Sequence, residues 1–134
     1  MQEVVIGVDV SKDWIDICDG GRTRQIKSTT HSLKRLAKGW AARDAFIIFE
    51  ATGGYDHPLR TALEAAGVRF SRVNPLRARR FADACGVLAK TDAVDAAMLA
   101  RMGAQFDLAE TPHQPPERRR LQALNARRHQ LVEA

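Results

Sequence analysis

Two short runs limit what this chain can become. Residues 4–10 and 45–49 are almost continuous Val, Ile, Ala and Phe, too short for helices and β-branched or aromatic enough for strands. A strand with no polar face has to be covered on both sides, as happens at the centre of a sheet with helices packed on it. The segments around the first run supply a meander. Trp14-Ile15-Asp16-Ile17-Cys18 alternates apolar with polar, Asp19-Gly20-Gly21 is a hairpin signal, and residues 22–28 read as a polar edge strand. The period then changes. Leu33, Leu36, Ala37 and Trp40 recur at helical spacing behind Thr30, which predicts a helix over 31–42. Further helices are expected at 55–66, 76–84 and 91–102, with a fifth strand at 68–73. The order β-β-β-α-β-α-β-α predicts an α/β fold with a mixed sheet whose parallel centre is 4–10, 46–49 and 68–73.

Organisation beyond the sheet is also legible. The 134 residues suffice for one sizeable core, and 45% apolar with 28% charged residues is an ordinary globular composition. A domain at 1–108 is expected to end in a proline-rich linker at 109–116. Residues 117–134 then read as an amphipathic helix that stops with nothing to pack on, the start of a longer coiled coil in a longer protein. Two distant cysteines exclude a disulfide scaffold and a zinc ribbon, and fit a reducing compartment. No stretch approaches the ~18 apolar residues of a membrane span, so a cytoplasmic protein is expected. The formal charge of +5 points toward a polyanionic partner.

Four acids stand where acids are costly. Asp9 lies in the first apolar run, on the face it shares with Val5 and Gly7; it either caps the turn at Ser11-Lys12 or belongs to a site. Glu50 ends the fourth strand just before Thr52-Gly53-Gly54, at the sheet edge where α/β sites form. Asp92 and Asp95 lie about 60° apart on the expected helix 91–102, in the arc that continues through Leu99 and Met102. Helix capping by Thr91 with two dipole-complementing acids explains Asp92 better than Asp95. If the four converge they would repel one another unless cations intervene. Hard oxygen donors suit Mg²⁺ or Mn²⁺, and two such ions about 4 Å apart can drive phosphodiester displacement. Around them, Arg69, Arg72, Arg77, Arg79 and Arg80 could hold a phosphate backbone, and Lys12 and Lys90 lie close in sequence to the acids. Each of these cations could instead be a solvated surface charge.

The blocks that carry these acids also resemble one known family. Val5-Ile6-Gly7-Val8-Asp9-Val10-Ser11-Lys12, Phe49-Glu50-Ala51-Thr52-Gly53-Gly54-Tyr55, Val73-Asn74-Pro75 and Ala89-Lys90-Thr91-Asp92-Ala93-Val94-Asp95-Ala96 occur in the order found in the DEDD transposases of insertion-sequence family one-ten, the Piv/MooV-like recombinases. The resemblance covers roughly residues 4–103. It implies a RuvC-like, ribonuclease-H-type five-stranded mixed sheet, with the D-E-D-D tetrad falling on Asp9, Glu50, Asp92 and Asp95. It further implies Mg²⁺-dependent DNA strand cleavage and exchange, in some systems with a structured guide RNA. Members continue into a coiled coil and a serine-bearing domain, so self-association through 117–134 is expected. Two other readings remain at this stage. One is a nucleic-acid-binding assembly module that cuts nothing. The other is an actin-like kinase fragment, although Asp9-Val10-Ser11-Lys12 lacks the Gly-Thr/Ser turn of such phosphate loops.

Overall fold

The expected meander and βα units form one five-stranded sheet. The computed structural model describes residues 3–86, 94–115, 121, 124–125 and 127–128. Its strands are β1 (Val5–Val10), β2 (Trp14–Asp19), β3 (Arg22–Lys27), β4 (Phe46–Glu50) and β5 (Arg69–Val73), and its helices α1 (Thr30–Ala42), α2 (His57–Ala65), α3 (Pro75–Cys85) and α4 (Ala96–Gln105). The spatial order is β3-β2-β1-β4-β5. β1, β2 and β3 pair antiparallel, while β4 runs parallel to both β1 and β5. This is the expected mixed sheet with flanking helices.

The pleat sends alternate residues to two separate cores. Ile6, Val8, Ile15, Ile17, Ile47, Phe49 and Phe70 meet Leu33, Ala37 and Trp40 of α1 and Leu59 and Leu63 of α2 on one side. On the other, Phe46, Ile48 and Val73 meet Phe81 of α3 and Met98, Leu99 and Met102 of α4. Asp9 and Glu50 point to this second side. The helix α4 lies so close over β1 that a Cβ on Gly7 would sit 2.0 Å from the Ala96 carbonyl oxygen and 2.5 Å from the Ala100 nitrogen. Gly103 fits near Val5 and Ile48 at the other end of the same contact. The helix therefore runs back along β1, with its N-terminus at the strand's carboxyl end.

Several boundaries differ from expectation, each for a local reason. The cap of α1 is Thr29 rather than Thr30. Its hydroxyl accepts from the Ser32 N–H, and the Ser32 hydroxyl accepts in return from the Thr29 N–H, a reciprocal box. The helix α2 begins at His57, two residues later than expected, with Pro58 in its first turn. The expected helix 91–102 starts, among the described residues, only at Ala96, because Asp95 is extended (φ −96°, ψ 176°) and caps it.

The segment read as a linker is docked where it is described. The Thr111 N–H donates to the Phe70 carbonyl and the Arg72 N–H to Thr111 Oγ1, both at 2.8 Å, so residues 111–114 cover the outer edge of β5. The His113 ring stacks on Phe70 at 5.4 Å between centroids. A buried ion pair, Arg60 Nε to Glu64 Oε1 at 3.2 Å, anchors this strap. Arg60 also donates to the Pro112 carbonyl, and the Gln114 N–H donates to Glu64. Polar linker composition concealed this because the docking joins backbone groups, the Thr111 hydroxyl and the His113 ring to β5 and to two side chains of α2. Of the expected terminal helix, Leu121, Leu124, Asn125, Arg127 and Arg128 are helical; the rest of 117–134 lies outside the described residues.

Candidate active site

Three of the four singled-out acids reach the same edge of the sheet. Asp9 is the penultimate residue of β1 and Glu50 the last of β4, two parallel neighbours, so both lie at the carboxyl ends of central strands. Asp95 arrives on the N-terminus of α4, and its carboxylate accepts from the Met98 N–H at 2.9 Å. It is exposed rather than set inside a buried helical stripe. Asp92 and Lys90 lie outside the described residues.

Electrostatics tie the acids together. The Asp9 carboxyl is pushed up to about 6 by burial first, then by the carboxylates of Asp16 and Asp95. Glu50 is raised by burial and by Asp9. Each carboxylate opposes ionisation of its neighbour. Among the described residues no three His, Cys, Asp or Glu side chains are close enough together to grip one metal ion. Half-buried, mutually repelling carboxylate oxygens, with neither thiolate nor imidazole, are a donor set that fits a hard divalent cation such as Mg²⁺ or Mn²⁺.

Asp16 is an addition that motif reading missed. The register of the β1–β2 hairpin places it opposite Asp9, on the same face. Gln25 from β3 donates to its Oδ1 at 3.0 Å and holds it there. The signal was available: pairing apolar Val10 with Ile15 across the turn forces Asp9 against Asp16.

A second missed acid is Asp56, which is only 1% exposed. It precedes α2 without capping it, because its carboxylate is committed elsewhere. Oδ1 accepts from the Thr52 N–H at 3.2 Å and the Thr52 hydroxyl at 2.9 Å, and Oδ2 accepts from Arg72 Nε at 2.6 Å. The turn that follows Glu50 is thereby fastened to β5. Breaking a fully buried pair costs about 3–5 kcal/mol, but Arg72 keeps access to water, so Asp56→Ala is expected to cost about 2 kcal/mol in urea unfolding. Thr52→Val, which loses only the hydroxyl bonds, should cost less than half as much.

The cations expected around the site divide. Arg72 is engaged by Asp56. Arg69 pairs with Glu3 at 3.1 Å and lies over the Phe46 ring, and Arg79 meets Asp83 at 3.3 Å along α3. Arg77 and Arg80 are exposed on α3, and Lys12 is exposed in the loop just beyond Asp9.

Fold and site together define an α/β domain with an acidic centre at the carboxyl edge of a mixed sheet. The family model of the DEDD transposases of insertion-sequence family one-ten, described as a transposase, matches residues 6–134. The chain belongs to this family. It is 31% identical over 114 residues to pilin gene-inverting proteins of Moraxella lacunata and Moraxella bovis, covering 78% of this chain and 35% of theirs. It thus spans about a third of the length of these curated relatives. A Thermus thermophilus RuvC structure is similar at a TM-score of 0.49 and 15% identity, over 92% of this chain and 91% of that one. Among the described residues no helix is long and apolar enough to cross a membrane.

Proposed function

We propose that this chain is the metal-dependent nuclease domain of a DNA recombinase, cutting and exchanging strands as an insertion sequence moves or a DNA segment inverts. The observation that carries the reading is the position of Asp9 and Glu50 at the carboxyl ends of two adjacent parallel strands, with Asp95 near enough to oppose ionisation of Asp9. Asp9, Glu50, Asp92 and Asp95 would hold the ions, two Mg²⁺ or Mn²⁺. Bound there, the cations would activate the attacking oxygen and stabilise the leaving one. The chain's own residues do the remainder. β1 and β4 fix two carboxylates on adjacent strands, the α4 cap orients the third, and the Asp56–Thr52 clasp holds the turn beyond Glu50. Lys12, Arg77 and Arg80, which are not buried, together with Lys90, which lies outside the described residues, would meet the phosphates of the bound strand. The proposed partners are DNA, a structured guide RNA by the family likeness, and a second copy through 117–134.

Asp95→Asn separates the role of charge from that of the cap, since Asn caps a helix as well as Asp does. In cells carrying the gene for this protein, excision or inversion of a marked DNA segment is expected to fall about a hundredfold, roughly 2.7 kcal/mol of barrier, with the fold intact. Unchanged recombination by Asp95→Asn would remove this residue from the site. DNA binding without cleavage in Mn²⁺, by wild type and variants alike, would favour the assembly-module reading.

A further inference from the structure

The positive charge of this chain is not spread over it. Residues 20–43 hold seven Lys and Arg and no Asp or Glu, whereas the remainder has 14 cations against 16 acids. That stretch is the edge strand β3 and helix α1, which lies on the opposite face of the sheet from Asp9, Glu50 and α4. Arg22, Arg24, Lys27, Lys34, Arg35 and Lys38 are all exposed, and among the described residues none has a carboxylate within ion-pair distance. Between strand and helix runs a groove of about 400 Å³ with Arg24, Arg35 and Arg43 along it. Asp19, the partner of Arg43, is already neutralised by two hydrogen bonds from it, at 2.6 and 3.0 Å.

Gly39 supplies an independent pointer. It stands inside α1, where glycine is among the least favourable residues. A Cβ there would meet nothing within 4 Å, so the protein's own packing does not require it. It lines the groove on the helix face between Arg35 and Arg43, four residues from each. A missing side chain flanked by guanidinium groups suits a partner whose backbone comes close.

We propose that the β3–α1 face is a second nucleic-acid surface, which grips the phosphate backbone of duplex DNA on the side of the sheet away from the carboxylates. It rests on the recombinase reading only for the choice of DNA. A duplex held here is out of reach of Asp9 and Glu50, so the surface carries an arm of the DNA rather than the strand being cut. Contacts of this kind are independent of sequence and steeply salt-dependent.

The test is fluorescence anisotropy of a 30-base-pair duplex with the purified chain, in EDTA so that nothing is cleaved, across a salt series. Each phosphate contact contributes about 0.9 to the slope of log affinity against log salt, so Arg24→Ala/Arg35→Ala/Lys38→Ala is expected to lower the slope by about 2–3. Arg24→Lys/Arg35→Lys should restore most of the binding. Gly39→Leu should melt at a higher temperature than wild type and yet bind several-fold more weakly, a combination that loss of folding cannot produce. Arg24→Ala should weaken binding more than Arg101→Ala, which removes a cation from the opposite face. An unchanged slope in the triple variant, equal effects of Arg24→Ala and Arg101→Ala, or tighter binding of an RNA duplex of the same length would each overturn the proposal. Groove-dependent binding intact, with cellular recombination unchanged by Asp95→Asn, would overturn the recombinase reading alone.

Discussion

Asp9→Asn is expected to reduce DNA strand cleavage about a thousandfold or more, roughly 4 kcal/mol of barrier, while making the metal-free domain more stable than wild type. The two effects share one cause. Asp9 sits half-buried opposite Asp16 and near Asp95, and its carboxyl group is pushed up to about 6 from a starting value of 3.8. In the native chain it therefore holds a proton at pH values where the unfolded chain has released it. Between about pH 4 and 6 the native state binds more protons than the unfolded one, so stability falls as pH rises through this window. Above it the cost of ionising Asp9 in place is carried in full. Allowing for solvent screening of a half-buried group, that cost is about 1–2 kcal/mol. Asn fills nearly the same volume without the charge. It also removes one of the two causes that raise Glu50. Urea unfolding in EDTA should accordingly show Asp9→Asn gaining about 1–2 kcal/mol at pH 7.5, nothing at pH 3.5, and a flatter profile between. Mn²⁺ should raise the wild-type melting temperature and leave that of Asp9→Asn unmoved. A variant that is less stable at pH 7.5 would show that Asp9 is a structural acid, not one held at a cost for function.

The same residues show how far the sequence could be read. Strand order and the two-sided cores follow from local pattern. Continuous apolar runs place β1 and β4 at the centre, and alternation in β2 leaves it half covered. Asp9 and Glu50 are conspicuous because an acid inside or at the end of such a run breaks the pattern. What the pattern could not give are contacts that span elements. Asp56 falls inside the expected helix 55–66, and only the position of Arg72 on the next strand turns it into a clasp. Residues 111–114 read as linker because proline and polar side chains do not announce a backbone docked on Phe70. The environment of Asp95 escapes the pattern for a subtler reason. Helical periodicity continues through 91–102 in the sequence, but Asp95 takes an extended backbone and caps Met98, which ends the helix there and turns the carboxylate out toward Asp9. A residue that caps satisfies the same periodicity as one inside the helix, so spacing alone does not distinguish them.

Gly7→Ala is the smallest side-chain change expected to damage both fold and site. The added carbon would lie 2.0 Å from the Ala96 carbonyl oxygen, 2.5 Å from the Ala100 nitrogen and 3.1 Å from its Cα, all backbone atoms of α4. No rotamer relieves a backbone clash, so the helix as a whole must rise off β1. That movement opens the second core, where Leu99 and Met102 are fully buried against the sheet. Overpacking typically costs about 1–3 kcal/mol, and lifting a helix that spans β1 belongs at or beyond the upper end, so a loss of about 3 kcal/mol or more is expected in urea unfolding. Function should suffer further than stability. Ala96, the nearest atom's residue, directly follows Asp95, so the shift displaces that carboxylate from Asp9. A misplacement of about 1 Å can cost a hundredfold in rate, and recombination should stay depressed at temperatures where Gly7→Ala is still fully folded. Gly103→Ala provides the comparison. Its Cβ would meet side-chain rather than backbone atoms, those of Ile48 and Val5, at the end of α4 remote from Asp95. It is expected to cost less stability and to leave the ratio of activity to folded protein unchanged. Equal losses of that ratio in the two variants would show that the α4–β1 contact serves the fold and not the placement of Asp95.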